Sequence, residues 1–273
     1  MSLVKLDYER ITQILTGFIK QETEKAGFNK VILGLSGGID SAVVAYLSVL
    51  ALGSKNVHAV MMPYKSSSQS SSDDAMKCVN ELKISYEKCE ITKMVDTYFT
   101  QFPEANNLRK GNKMARERMS TLYDLSSFYN CLVIGTSNKT ELLLGYGTQF
   151  GDLASALNPI GDLYKTHIWE LAKHLKIQQS IIDKKPSADL WEGQSDEQDF
   201  GFSYEVADNV LYQFVERHLS KQEVIELGYE VTTVEKIIAM IKRNQYKRTL
   251  PLIAKISSRS IGSDFLYPRD WGL

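Results

Sequence analysis

The sequence predicts an α/β fold, an open parallel sheet flanked by helices on both faces, with a helical C-terminal portion. Through the first half of the chain, apolar runs of strand length alternate with longer amphipathic segments, and this alternation is typical of βαβ units. The apolar runs are continuous, as expected for parallel strands that are covered on both faces. Residues 203–244 show apolar positions at helical spacing, which predicts two or three helices there.

Composition and charge indicate a globular protein with one core. The chain has 273 residues, of which 43% are hydrophobic and 24% are charged, and neither a Pro/Gly-rich linker nor an internal repeat divides it. We therefore expect a single domain over 1–273. A net charge of -1 provides no broad basic surface for nucleic acid or for an anionic membrane. The apolar runs are shorter than the roughly 20 residues of a membrane span and no signal pattern opens the chain, so we expect a cytoplasmic protein.

The predicted elements follow in order from the N-terminus. Six apolar residues between Leu6 and Ile19 fall on one stripe, which predicts a helix over 4–26 that ends at Gly27. KVILGLS is the first strand, 40–52 is a helix, and NVHAVMMP is the second strand. The remaining predictions are a helix over 73–82, a strand in ISYEKCE, helices near 93–102 and 112–128, a strand in CLVIGTS, loops over 137–164, a helix over 165–175 and loops over 183–201.

The serine-rich run SSSQSSS, residues 66–72, follows the second strand. Its composition leaves two interpretations open. It is either a mobile surface loop or a lid over a ligand that binds at the carboxyl ends of the strands. Both interpretations predict loop structure for these residues.

The stretch GLSGGIDS, residues 34–41, also has two interpretations. The G-x-S-x-G pattern is typical of a nucleophile elbow, in which Ser36 would be the attacking hydroxyl. A glycine-rich turn between a strand and a helix instead presents backbone amides to a phosphate. Only one strand precedes Ser36, and among the histidines only His218 comes late enough for a triad, so the phosphate loop is favoured. Asp40 inside such a loop suits a pyrophosphate that is accompanied by a metal ion.

At residues 36–41, SGGIDS resembles the signature of the N-type ATP pyrophosphatases, which have an adenine nucleotide alpha hydrolase-like, Rossmann-like fold. Further along, the chain is similar to the ammonia-dependent NAD synthetase family over roughly residues 5–250. This resemblance is carried by four motifs in order, GNKMARERM (111–119), VIGTSNKTELLLGYGTQFGD (133–152), NPIGDLYKT (158–166) and KPSADLWEGQSDEQDFGFSYEVAD (185–208).

The resemblance implies a ligase that forms a C–N bond. Deamido-NAD, ATP and ammonia would be converted through an acyl adenylate into NAD, AMP and pyrophosphate, the final step of NAD biosynthesis, with Mg²⁺ as cofactor. Free ammonia is expected as the nitrogen donor, because no N-terminal or C-terminal glutaminase domain is recognised. The family is typically homodimeric, and we expect the helix over 112–128 to form part of the interface.

The same resemblance implies the residues of the ATP site. They are Gly34, Leu35, Ser36, Gly37, Gly38, Ile39, Asp40 and Ser41 in the phosphate loop, with Thr136, Lys165 and Ser187 from later segments. Asp40 and Glu141 are implied to bind magnesium, a hard cation that prefers oxygen ligands. Considered without the resemblance, Glu141 and Lys165 also fit solvated positions at the starts of helices.

The deamido-NAD site is implied to comprise Arg116, Tyr146, Gln149, Ala156, Tyr246 and Lys247. Three positions depart from the family pattern. Gln149 and Ala156 stand where many relatives have a lysine and an aspartate, and Tyr246 replaces the histidine of a His-Lys-Arg motif. Arg118 follows Arg116 by two positions and is expected to point to a different side of its helix.

Catalytic roles are predicted for Asp40, Lys165 and Asp152, of which Asp152 is the candidate for binding or deprotonating ammonia. Two other functions stay open. The first is another pyrophosphatase-loop enzyme, such as a GMP synthetase core or a tRNA-thiolating enzyme, although the thiolating class usually needs paired cysteines and a basic surface. The second is a nucleotide-binding regulator without chemistry, which would not need the metal-linked acids Asp40 and Glu141.

Overall fold

The computed structural model describes residues 3–191, 193–249, 251–262 and 264. Its elements are α1 (Tyr8–Lys25), β1 (Val31–Gly34), α2 (Ile39–Leu52), β2 (Val57–Met61), α3 (Gln69–Leu82), β3 (Ser85–Lys88), α4 (Thr92–Phe99), α5 (Asn107–Tyr129), β4 (Leu132–Val133), α6 (Lys139–Leu144), α7 (Lys165–His174), α8 (Gln179–Ile182), α9 (Asp196–Phe200), α10 (Tyr204–Leu211), α11 (Lys221–Glu226) and α12 (Val231–Arg243). The strands form one parallel sheet in the order β3-β2-β1-β4. The predicted α/β fold is confirmed.

Both faces of the sheet are covered, because successive side chains of a strand point to opposite faces. In β1, Val31 and Leu33 belong to an apolar cluster that includes side chains of α1, α2 and α7. Ile32, which lies between them, belongs to a second cluster with side chains of α4 and α5. All three residues are fully buried, so β1 is a central strand that carries the phosphate loop on a rigid support.

The C-terminal portion is helical, as predicted, and has its own apolar cluster. Tyr204, Leu211 and Ile237 from α10 and α12 are fully buried in it, together with Leu144 at the end of α6. Because α6 packs into this cluster, the C-terminal helices help to position a segment that lies beside the sheet. Among the described residues, none of the helices has the length and apolar character required to cross a bilayer.

Three loop predictions are corrected by the structure. Residues 69–72 of the serine run form the first turn of α3, because the Ser68 side chain caps the helix by accepting a hydrogen bond from the Ser71 amide. The predicted loops over 137–164 and 183–201 contain α6 and α9. The helix predicted over 112–128 begins earlier, at Asn107, since Asn106 supplies its N-cap.

The strand predicted in CLVIGTS is shorter than expected. Only Leu132–Val133 pair along β1, and Ile134 then forms a parallel bridge with Leu157. Gly135 follows, and a Cβ there would lie 2.2 Å from Ser155 Oγ. The chain therefore leaves the sheet here, at its carboxyl edge.

Candidate active site

The phosphate loop connects β1 to α2. Leu35 and Ile39 have buried side chains that anchor the loop in the core, and the Leu35 amide donates to Val60 O over 3.0 Å. Contacts of these two residues with a phosphate are therefore confined to backbone atoms. The first amides of α2 have no partners within the helix, and the positive end of the helix dipole lies at the same place.

Gly37 holds the loop against α3. Its φ of +78° lies in the left-handed region, and a Cβ at this position would lie 2.0 Å from Ser71 O. Glycine is required here for both reasons. The serine run thus packs against the phosphate loop through the backbone of Ser71.

The two loop serines have different surroundings. Ser41 is buried, donates to Gly38 O over 3.0 Å and accepts from the Ser36 amide. Ser36 is exposed, and its hydroxyl accepts from the Gly38 amide over 3.2 Å. Among the described contacts of Ser36 there is no histidine, so nothing activates it as a nucleophile, in agreement with the phosphate-loop interpretation.

An acid–lysine cluster, defined as Asp40, Glu141 and Lys165, lies next to the loop. The Lys165 Nζ atom is 2.5 Å from Asp40 Oδ2 and 3.6 Å from Glu141 Oε1. Lys165 is the first residue of α7 and is only 2% exposed, which rules out the solvated position that the residues alone allowed. Burial lowers the pKa of Lys165, but the charges of Asp40 and Glu141 outweigh burial and raise this pKa above its ordinary value, so the amine stays charged.

Asn138 holds the two acids of this cluster in place. Its side-chain amide donates to Asp40 Oδ1 over 3.0 Å, and its side-chain oxygen caps α6 by accepting from the Glu141 amide. The Glu141 carboxylate in turn accepts a hydrogen bond from the backbone amide of Asn138 over 3.2 Å. Sequence reasoning missed Asn138, although N-K-T-E is a capping-box pattern that predicts a helix start.

The acid–lysine cluster has more carboxyl groups than amines, and this crowding favours the protonated form of Glu141. Burial and the charge of Asp40 raise the pKa of Glu141, against the lowering effect of Lys165, and Asp196 adds a further acid nearby. Asp40 and Glu141 thus pair with one amine, and the charge of Asp196 acts on both Glu141 and the amine. A hard divalent cation would relieve the repulsion between the two acids, and carboxylate oxygens are the ligands that such a cation prefers. In the ranges that the structure describes, no three metal-binding side chains come together, so a cation here would share its coordination with phosphate or water oxygens.

Asp196 is a second residue that sequence reasoning missed. It accepts hydrogen bonds from the hydroxyls of Tyr146 and Tyr204, at 3.0 and 2.9 Å, and from the Ala188 amide. Tyr146, predicted to contact deamido-NAD, also donates to Asp199, and its ring packs edge-on against an aromatic neighbour in α9. The Tyr146 hydroxyl therefore connects α9 to the loop that follows α6 through its hydrogen bonds, and the ring is the part of Tyr146 that can contact a substrate.

Asp208 supports the start of α7. Its carboxylate accepts from the Thr140 hydroxyl at 2.5 Å and from the Thr166 amide at 2.8 Å, so it connects α6, α7 and α10. The side chain is 0% exposed, and burial outweighs these hydrogen bonds and raises the pKa of Asp208 to about 6. Lys165 therefore begins a helix whose first turn is fixed by a buried acid.

The raised pKa of Asp208 predicts a pH dependence of stability. Because the folded-state pKa of Asp208 lies above its ordinary value near 3.8, the carboxyl group stabilises the fold fully below about pH 4. This stabilisation is lost as the pH rises through about 6. Between these values the wild type should lose about 3 kcal/mol more unfolding free energy than Asp208→Asn. Urea denaturation from pH 4 to 7 measures this, with Asp124→Asn on the exposed face of α5 as control. Equal pH profiles for wild type and Asp208→Asn would contradict the assignment.

Arg116 and Arg118 leave α5 on different sides, as predicted. Arg116 is exposed, and its Nε atom donates to Gln149 O over 3.3 Å, so Arg116 and Gln149 lie together. Arg118 donates to Met62 O just beyond β2, and burial lowers its pKa. Arg118 thus lies at the carboxyl end of the sheet, a position that sequence reasoning did not assign to the site.

Asp152 lies near two cations. Its Oδ1 atom accepts from the Thr148 amide over 2.8 Å, and Lys247 and Arg118 are close enough to act on its charge. Although part of the side chain reaches solvent, the enclosing protein raises the pKa of Asp152, and this outweighs the lowering effects of the Thr148 amide and the two cations. The raised pKa makes this carboxylate a better proton acceptor.

The other predicted contact residues differ in their exposure. Ala156, Ser187 and Tyr246 are exposed, and Thr136 is half-buried just beyond β4. Lys247 is half-buried and donates to Gly145 O and Gly147 O, at 2.7 and 2.9 Å.

A phosphate loop and an acid–lysine cluster at the carboxyl ends of parallel strands define this protein as a nucleotide-binding α/β enzyme. A model of the NAD synthase family matches residues 11–251. The chain therefore belongs to the NAD synthase family.

Individual relatives agree with this assignment. The NH3-dependent NAD+ synthetase of Chlorobaculum tepidum is 57% identical over 265 residues, which cover 97% of this chain and 96% of the relative. The solved NH3-dependent NAD synthetase of Campylobacter jejuni is 35% identical, with a TM-score of 0.79 over 92% of this chain and 100% of its own. The solved NMN synthetase of Francisella tularensis is 31% identical, with a TM-score of 0.82 over 92% of this chain and 99% of its own.

Proposed function

We propose that this enzyme amidates deamido-NAD with ammonia at the expense of ATP, yielding NAD, AMP and pyrophosphate. The observation that carries the proposal is the acid–lysine cluster beside the phosphate loop, since it combines a buried cation with acids that suit a metal-bound polyphosphate. The names of the relatives at high identity support the same reaction.

The chemistry has two steps. In the first, a carboxylate oxygen of the nicotinate attacks the α-phosphorus of ATP, the bond to the β-phosphate breaks, and pyrophosphate leaves. In the second, ammonia attacks the carbonyl carbon of the acyl adenylate, loses a proton, and AMP leaves with the carbon–oxygen electron pair. Activation is necessary because oxide is too poor a leaving group for direct amide formation.

The chain's own groups serve the first step. Backbone amides of the phosphate loop and the start of α2 bind phosphate oxygens, and the charge of Lys165 offsets charge that accumulates on the departing pyrophosphate. Asp40 and Glu141 would hold Mg²⁺, which neutralises and orients phosphate oxygens when it is bound. Thr136 and Ser187 complete the nucleotide site in this proposal, and Asn138 fixes the orientation of Asp40.

For deamido-NAD, the exposed residues are the stronger candidates for direct contact. Arg116 offers a guanidinium suited to a phosphate, next to Gln149, and Ala156 and Tyr246 are exposed. The neutral Gln149 and Ala156 replace a usual charged pair together, which keeps the local charge balanced. We further propose a single-domain cytoplasmic protein that acts as a homodimer, with α5 contributing to the interface.

Asp152 is proposed to accept the proton that ammonia loses. Asp152→Asn should lower the rate of amide formation by about a hundredfold, while adenylation is preserved. Exchange of labelled pyrophosphate into ATP reports the first step alone, and NAD formation at varied ammonium reports both. Asp162→Asn, at a side chain that is 94% exposed, serves as control. An unchanged ammonia-dependent rate and KM in Asp152→Asn would remove Asp152 from the mechanism.

A second candidate substrate is the mononucleotide, because one similar solved structure is an NMN synthetase. Purified protein should be incubated with ATP, Mg²⁺ and ammonium, and with deamido-NAD, nicotinic acid mononucleotide or xanthosine monophosphate in parallel. We expect NAD and AMP in equal amounts from deamido-NAD, and the highest kcat/KM of the three substrates. Preference for the mononucleotide would change the substrate, and AMP from xanthosine monophosphate alone would favour a GMP synthetase.

A further inference from the structure

The C-terminal end of α6 is held by side chains from a distant segment. α6 has only six residues, and the last four carbonyls of a helix have no partners within it. Arg248 Nη1 donates to Leu142 O and Leu143 O, at 3.1 and 2.8 Å, and Asn244 Nδ2 donates to Leu144 O at 2.7 Å. Side chains about 100 positions later in the chain therefore satisfy these carbonyls.

Lys247 extends this contact beyond the helix. Its Nζ atom donates to Gly145 O and Gly147 O, so two of its three donors are used on the loop that follows α6. We name Asn244, Lys247 and Arg248 the C-terminal clamp. Two of its members are cations at the negative end of a helix, where positive charge is favourable.

The clamp is closely fitted to α6. Gly145 has a φ of +68°, and a Cβ there would lie 2.1 Å from the Cβ atom of Asn244, so only glycine allows the approach. Arg248 is itself fixed, because Nη2 donates to Ile241 O over 2.7 Å and to Gln245 Oε1. The clamp thus forms a rigid contact between the end of α12 and the end of α6.

The other end of α6 touches the acid–lysine cluster. Asn138 caps the helix and donates to Asp40, and Glu141 lies one turn into the helix. A helix this short depends on tertiary contacts at both ends. Any shift at the clamped end therefore moves Glu141 relative to Asp40 and Lys165.

We propose that the C-terminal clamp consists of positioning residues, which hold Glu141 in the acid–lysine cluster and the 145–147 loop beside Asp152. The catalytic consequence rests on the proposed function, whereas the structural consequence does not. This assignment differs from the prediction that Lys247 contacts deamido-NAD. The clamp acts through α6.

The test compares Arg248→Met, Asn244→Ala and Arg248→Lys with wild type. Lys242→Met, at an exposed position of α12, is the matched control. Hydrogen–deuterium exchange of residues 139–147 in the ligand-free protein should be about tenfold faster in Arg248→Met, since charged hydrogen bonds are lost there. In the same variant kcat should fall about tenfold while KM for deamido-NAD changes less than about threefold, and Arg248→Lys should recover part of both effects.

Unchanged exchange over 139–147 would overturn the proposal. A raised KM for deamido-NAD with kcat preserved would also overturn it, in favour of direct substrate contact. If Arg248→Met does not fold, Asn244→Ala decides the question with the same readouts, because it removes a single hydrogen bond and keeps the Cβ atom that packs on Gly145. If wild type forms no NAD, the proposed function fails, and the exchange measurement still decides whether the clamp orders α6.

Discussion

Lys165→Met is expected to reduce the rate of NAD formation by about a thousandfold. Methionine keeps most of the side-chain volume but removes the charge that lies 2.5 Å from Asp40 and 3.6 Å from Glu141. The phosphates then lose a fixed cation during adenylation. The acids also lose their partner, so the pKa of Glu141, which Lys165 lowers, rises further and the carboxylate becomes a poorer metal ligand.

The same substitution should also lower the free energy of unfolding, by about 3 kcal/mol, because it leaves two half-buried acids without their cation. Steady-state kinetics and urea denaturation measure the two effects. Lys173→Met is the control, since Lys173 lies on the same helix but is 55% exposed and pairs with the exposed Glu170. We expect less than about 0.5 kcal/mol for the control. A Lys165→Met enzyme with kcat within tenfold of wild type would show that the cluster is structural.

Gly37→Ala is expected to abolish measurable ATP binding and to lower the free energy of unfolding by about 3 kcal/mol. A residue with a Cβ is strained at a φ of +78°, and the added atom would lie 2.0 Å from the backbone oxygen of Ser71. Because a backbone atom cannot rotate away, the phosphate loop or the first turn of α3 must move. Calorimetric titration with ATP and urea denaturation give the two quantities.

Two other glycines separate the two causes of this destabilisation, which are backbone strain and the contact with Ser71. Gly27 has a φ of +82° with nothing within 4 Å of an added Cβ, so Gly27→Ala measures the backbone strain alone, about 1 kcal/mol. Gly38 has a φ of -88°, and its added Cβ would meet Ser36 Oγ at 3.3 Å, so Gly38→Ala tests a neighbouring loop position without that strain. Equal destabilisation by Gly37→Ala and Gly27→Ala would contradict the role of the Ser71 contact.

Local sequence signals were sufficient for the sheet and the phosphate loop. The continuous apolar runs predict β1 and β2 because burial on both faces demands them, and the glycines of the loop predict a turn because few other residues adopt its backbone. The resemblance to the family then predicts that Asp40, Glu141 and Lys165 belong to one site. The structure agrees, and it adds that Lys165 is buried between the two acids.

Long-range contacts were not predictable in the same way. Asp196 and Asp208 look like ordinary acids in polar stretches, yet each is buried by residues far away in the chain. α6 was missed because a six-residue helix has too few positions to show a period, and its stability depends on Asn138 at one end and Arg248 at the other. No local pattern in NQYKR indicates that these residues cap a helix about 100 positions earlier.

If this site activates the carboxylate of deamido-NAD by adenylation, one oxygen of that carboxylate must be transferred to AMP. Deamido-NAD labelled with ¹⁸O in both carboxylate oxygens should be converted with ATP, Mg²⁺ and ammonium, and the products examined by mass spectrometry. One labelled oxygen should appear in AMP and the other in the amide of NAD, with none in pyrophosphate. Label in orthophosphate accompanied by ADP, or AMP without label, would contradict activation by adenylation.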